Sequence, residues 1–228
     1  MLKNFIESNY KKASNIQRSF DHDAKMVKMH KGKVLDGEYI QDWMRGYGLF
    51  QGISGTFRKQ VIEVYKENIF TISSLADSPN DGEVEKMVFA LLKAFYEKVP
   101  RRWLSAVSKL LWCSFPYEIA IYDAFVHRSL VVLQGLTPYL AEMPRLGNAP
   151  SLKSGTDILA LVDFYMNFRK MIVAILKHHQ TQFDELRKKN TEEYPYEEYP
   201  YDIRILDKLL WLLGGPGRPF LLGYTQCI

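Results

Sequence analysis

The longest patterned stretch of the chain, GTDILALVDFYMNFRKMIVAILKHHQTQFDELRKKN at residues 155–190, repeats apolar side chains at helical spacing for about ten turns. A segment of that kind commits the chain to a helical architecture, with Thr156 or Asp157 placed to cap its start. Shorter helical patterns surround it. FRKQVIEVYKENIFTISSLA (57–76) sets Phe57, Val61, Val64 and Tyr65 on one face. SPNDGEVEKMVFALLKAFYEKV (78–99) opens with turn formers and acidic residues before its apolar positions. YDIRILDKLLWLLG (201–214) is closed by Gly214 and Gly215. Strand signals are scarce, the best being the short run YEIAIY at 117–122. The expected fold class is mainly α.

Two stretches interrupt the helices. HKGKVLDGEYIQDWMRGYGLFQGISGT (30–56) holds six glycines, which predicts loops or tight turns around a short helix. TEEYPYEEYPYD (191–202) is acidic, and Pro195 and Pro200 favour an extended course there. Pro138, Pro144, Gly147 and Pro150 mark a long connection able to separate two helical lobes. The chain is read as a single domain over 1–228, with lobes formed by 1–98 plus the C-terminal helices and by a catalytic segment at 99–150. At 228 residues and 47% hydrophobic, it can bury a full core in either arrangement. A net charge of +4 is compatible with one basic, nucleic-acid-facing surface and equally with an ordinary enzyme. Cys113 and Cys227 are too few for a disulfide framework and lack metal-ligand spacing, so a reducing cytoplasm is expected. MLKNFIESNYKKASNIQRSF lacks the apolar centre of a signal peptide, and no run of about 20 apolar residues can span a bilayer. These features predict a soluble, cytoplasmic protein without a membrane partner.

Chemistry concentrates in SKLLWCSFPYEIAIYDAFVHRSL (108–130), where Lys109 lies on an apolar helix and Asp123 opens the next helix beyond Pro116. Trp103, Val107, Leu110 and Leu111 are the expected core of the first helix. Two readings fit. In one, Lys109 snorkels and Asp123 is only an N-cap. In the other they are catalytic: the helix N–H groups hold Asp123 ionised, and its charge stabilises a cationic substrate. A partly desolvated Lys109 amine is then a nucleophile. Its apolar neighbours favour the neutral amine while Asp123 favours the ammonium, and both remain open. His127 is four residues past Asp123, suited to an i, i+4 contact or a proton shuttle. His178 and His179 are adjacent and face apart, which with no HExxH pattern predicts no metal site. The run RKK at 187–189 is expected to be a solvated helix end.

SAVSKLLWCSFPYEIAIYDAFVHRSL (105–130) resembles the catalytic segment of helix-hairpin-helix DNA glycosylases, particularly divergent bacterial 8-oxoguanine DNA glycosylase-like proteins. In those proteins a helix bearing SK leads through a proline-containing connection to IYD and another helix. RILDKLLWLLG (204–214) is similar to their closing helix. The resemblance implies a helical glycosylase-like fold with two helical lobes around a cleft. It implies that Asp123 is the essential aspartate, stabilising an oxocarbenium-like sugar as the base leaves. It makes Lys109 the lysine that, in bifunctional members, attacks C1′ and forms a Schiff base before β-elimination. The base would be flipped from the duplex onto aromatic side chains, for which Trp43, Tyr47, Phe50, Trp112 and Trp211 are candidates; each is also a natural core residue.

The chain departs from the family in KVPRRWLSAVSK (98–109), which has no glycine where the family has a glycine-containing hairpin. Arg101 and Arg102 are then the expected phosphate contacts, as point charges. Lys31, Lys33 and Arg58, with Arg45 and Lys59, form a basic, glycine-rich neighbourhood suited to a DNA backbone or to an ordinary surface loop. Without four clustered cysteines the iron–sulfur variant is excluded, and no cofactor is expected. The implied partner is double-stranded DNA bearing a modified base, either an oxidised purine or a hypermodified phage cytosine, bound by a monomer. The alternative is a non-catalytic helical module that binds nucleic acid or protein.

Overall fold

The computed structural model describes residues 2–14, 17–74, 78–152, 155–193 and 201–215. Among them are ten α-helices, a short 3-10 turn and no strand. The helices are α1 (Leu2–Ser14), α2 (Gln17–Lys31), α3 (Gly37–Gly46), α4 (Gly55–Ser73), α5 (Asp81–Lys98), α6 (Leu104–Ser114), α7 (Ala124–Leu136), α8 (Pro138–Ala141), α9 (Ile158–Glu193) and α10 (Asp202–Gly214). The mainly α expectation holds. No helix among the described residues is long and apolar enough to cross a membrane. The TEEYPYEEYPYD expectation falls mostly on 194–200, outside the described residues.

Side-chain caps account for the starts of α3, α5 and α7. Asn80 and Glu83 form a reciprocal capping box at α5, within the turn formers and acidic residues that open that segment. Asp36 caps α3, its Oδ1 accepting from Glu38 N at 3.0 Å and Tyr39 N at 3.1 Å. A 3-10 turn at Gly155–Asp157 stands where a cap to α9 was expected. Phe57 departs from the predicted face of α4: Val61, Val64 and Tyr65 are buried, but Phe57, in the first turn ahead of that stripe, is 45% exposed. YEIAIY is not a strand. Ile119, Ala120, Ile121 and Tyr122 are buried without a neighbouring strand, and the Ala120 carbonyl accepts from the Tyr165 hydroxyl at 2.9 Å instead.

The chain separates into two compact units. The first takes Met1–Phe20, Tyr122–Gly147 and Asn167–Ile228; the second takes Asp21–Ile121 and Asn148–Met166. The segment 99–150 is therefore divided between them, and α2 and α9 contribute residues to both. In the second unit α4 packs on α3, α5 and α6, and α5 also packs on α6. Its core includes Tyr65, Phe95, Trp103 and Trp112, with Phe95 edge-on to Trp103 at 5.5 Å.

In the first unit α10 packs on α1 and α7. Every residue from Ile203 to Leu210 is buried, including Arg204, Asp207 and Lys208, and Arg204 pairs with Asp207 one turn away. Gln134 on α7 ties down the Pro144 connection: its Nε2 donates to Pro144 O at 3.0 Å, and its Oε1 accepts from Leu146 N at 3.0 Å. The tightest point is Gly214. The Ser129 hydroxyl donates to Leu210 O at 2.7 Å, and a Cβ on Gly214 would lie 2.1 Å from Phe125 O and 2.4 Å from Ser129 Oγ. Gly215, which caps α10, has an ordinary φ of −73°. The glycines at this end thus serve close approach rather than a left-handed turn. Gly214→Ala should destabilise the fold by about 2–3 kcal/mol despite alanine's better helix propensity, because the clash falls on backbone. A urea unfolding midpoint unchanged from the parent would refute this packing.

Candidate functional site

Lys109 lies on α6 in the second unit and is 4% exposed. Its Nζ donates to Ser105 Oγ, one turn earlier, at 2.9 Å, and stands 5.6 Å from the Tyr47 ring centroid. That ring is placed by the six-glycine stretch. Asp36 starts α3, and Gly48, with φ +66°, ends it: Gly48 N donates to Arg45 O at 2.9 Å and Leu49 N to Met44 O at 3.0 Å. This is a Schellman turn with glycine in its left-handed position. Trp43 and Tyr47, one turn apart, meet with centroids 4.7 Å apart at 60°. Both donate to Oδ1 of the enclosed Asp23, Trp43 Nε1 at 3.2 Å and the Tyr47 hydroxyl at 2.6 Å.

Asp123 lies in the first unit, as the N-cap of α7. Its φ of −139° and ψ of 144° are extended, and its Oδ1 accepts from Phe125 N at 2.9 Å. The sequence reading of an anchored carboxylate at a helix start matches this geometry. His127 Nε2 donates to Gly147 O at 2.9 Å, tying the first turn of α7 to the end of the Pro144 connection. Trp211 is also in the first unit, 39% exposed and edge-on to Phe125 at 5.9 Å. Of the aromatic candidates, the second unit brings Tyr47 to Lys109, with the buried Trp43 packed against Tyr47. Phe50 and Trp112 are enclosed core side chains at 3% and 0% exposure.

The basic candidates divide in use. Arg101 donates to Gln51 O at 2.8 Å, and Arg102 to Ala149 O at 3.3 Å. Arg58 donates through Nε to Ile53 O at 2.8 Å and lines an open groove of about 640 Å³ with Gln41, Arg45, Thr56 and Lys59. Lys31 and Lys33 are exposed at the end of α2. That end is a second Schellman turn, in which Lys33 N donates to His30 O at 3.1 Å and Val34 N to Met29 O at 3.0 Å. Here Lys33, with φ +53°, occupies the position that Gly48 fills at α3. Among the described residues no cluster of three or more His, Cys, Asp or Glu could hold a metal.

Two features were missed from sequence, and one α2 stripe carried the signal for both. Asp23, Met26, Val27 and His30 fall at helical spacing on the buried face, so a carboxylate and an imidazole stand where apolar side chains belong. His30 Nδ1 donates to Met26 O at 2.7 Å, which leaves Nε2 to accept from the Tyr65 hydroxyl. Burial lowers the His30 pKa and raises that of Tyr65 well above its usual value, so the pair is neutral. Comparisons of the chain with protein-family models, with curated proteins and with solved structures returned no match.

The buried imidazole sets a pH dependence. Unfolded, His30 takes up its proton near pH 6.5; folded, only at lower pH. Between those values the unfolded state binds more protons, so stability is full above about pH 6.5 and declines as the pH falls below it. His179, lowered chiefly by burial, adds to the same slope. Urea unfolding of the parent and of His30→Gln across pH 5–8 should show a shallower decline in the variant; equal slopes would rule His30 out as a source.

Proposed function

We propose that this chain is a DNA glycosylase, which flips a modified base out of double-stranded DNA and hydrolyses its bond to the sugar, leaving an abasic site. The observation that carries this reading is the fixed carboxylate of Asp123, held by Phe125 N at the head of α7 at the position of the resembled family's essential aspartate. As the C1′–N bond lengthens, positive charge grows on the sugar, and a pre-positioned carboxylate stabilises it without reorganising. Water adds to C1′, the base leaves with the bonding electrons, and the water's proton passes by way of Asp123 to solvent. Lys109 serves as a positive charge toward the leaving base or a phosphate, so strand cleavage by β-elimination is not part of the reaction. Part of the same proposal is the cleft between two helical lobes that the resemblance implies.

Tyr47 is the aromatic candidate best suited to a flipped base, because its ring lies beside Lys109, with the buried Trp43 packed against it. The substrate is an oxidised purine, in a repair role, or a hypermodified phage cytosine, in a defence role. The Arg58 groove and the lysines ending α2 supply the phosphate contacts. The second reading, a helical binding module without catalysis, draws on Arg101 and Arg102 each bonding backbone carbonyls and on Asp123 serving as a cap.

Duplexes carrying a panel of modified bases, incubated with the protein and then treated with alkali, should break at one of them. Asp123→Asn keeps an N-cap but loses the charge, so base release should fall by at least about a hundredfold in a folded protein. Full activity in that variant would sink the assignment of Asp123. At the end of α2, Lys33→Gly should raise stability by about 0.5–1 kcal/mol, since glycine suits the left-handed position, and weaken duplex binding at low salt. A variant that is both more stable and equally tight on DNA would remove Lys33 from the binding surface.

A further inference from the structure

Asp23 is wholly enclosed, and no part of the reaction above uses it. Its Oδ1 receives the Tyr47 hydroxyl at 2.6 Å, the length of a charge-assisted O–H···O⁻ bond, together with the Trp43 indole N–H at 3.2 Å. Oδ1 therefore fixes two aromatic side chains one turn apart on α3. The same Tyr47 ring meets Lys109, whose Nζ lies 5.6 Å from its centroid and is anchored on its own helix by Ser105. A phenol that donates to a carboxylate gains electron density in its ring, and a richer ring holds a cation more firmly. Asp23 and Lys109 are both buried, on different helices of one unit, and Tyr47 touches each.

We propose that Asp23 is a positioning residue that holds Lys109 in place as an ammonium, acting through the hydroxyl and the ring of Tyr47. The inference rests on the glycosylase reading only for the use made of that charge. An ammonium has no lone pair with which to attack C1′, so a lysine held this way contributes charge and not a covalent bond. Asp23 itself touches neither substrate nor the reacting atoms.

The test needs no DNA. Asp23→Asn keeps an acceptor oxygen for Trp43 and Tyr47 and removes only the charge; Tyr47→Phe keeps the ring and removes the link to Asp23. In protein labelled with ¹³C at the lysine ε-carbon, the Lys109 resonance is assigned by its loss in Lys109→Arg. Its titration midpoint should fall by about a few tenths of a pH unit in each single variant. The double variant should fall no further than the larger single one, because the two changes break one chain of contacts. A purely structural Asp23 would lower the melting temperature and leave the midpoint where it was, and that result in folded variants overturns the proposal. If Asp23→Asn does not fold, Tyr47→Phe alone decides by the same criterion. A borohydride-trapped protein–DNA adduct that disappears in Lys109→Ala would also overturn it. Absence of base release from every duplex defeats the glycosylase reading instead and leaves the titration result standing.

Discussion

A carboxylate taken fully out of water must be given donors, and Asp23 takes them from two residues of one neighbouring helix. That requirement organises much of the second unit. It pins α2 to α3, turns Trp43 and Tyr47 toward the same oxygen, and so decides which way the end of α3 points before the Gly48 turn carries the chain onward. Further along the same α2 face, His30 makes the equivalent demand and meets it with Met26 O and the Tyr65 hydroxyl of α4. Two polar side chains on one buried stripe thus set the registry of α2 against two helices. Apolar packing alone tolerates small shifts between such surfaces; directional bonds from a buried charge do not.

The first unit reaches definition by another route. Its α10 meets α7 through the smallest available side chains, Gly214 and Ser129, with the Ser129 hydroxyl returning a bond to Leu210 O. The helix thereby approaches within bonding range of the very turn that Asp123 caps. The close approach fixes the direction of α7, and with it the N-terminus from which Asp123 projects.

Much of this was legible in the chain itself. Periodicity announced α4, α5, α9 and α10, and the turn formers and acidic residues at the head of 78–99 marked where α5 begins. Asp123 could be read as a helix cap because aspartate before an apolar helical run has few other local roles. YEIAIY misled because a fully buried apolar segment looks the same whether or not it pairs with a strand, and here a tyrosine hydroxyl takes up one of its carbonyls. Phe57 misled because periodicity gives a face but not how far along the helix its covering neighbours extend. The lesson of Asp23 runs the other way. A polar residue in phase with the apolar stripe of its helix was visible in the sequence, but its partners lie 20 and 24 positions away, and only the fold says who they are.

The Gln134 clamp has a consequence for how the molecule meets a protease. Arg145 is exposed in a connection rich in proline and glycine, the kind of bond that trypsin ordinarily finds first. Yet the amide on the far side of that bond belongs to Leu146, which is 3% exposed and donates to Gln134 Oε1. Cleavage needs several residues to detach together and lie extended in the enzyme's groove, so the scissile bond is reached only when the connection lifts off α7. A single glutamine amide thus shields an arginine that surface accessibility alone would mark as vulnerable.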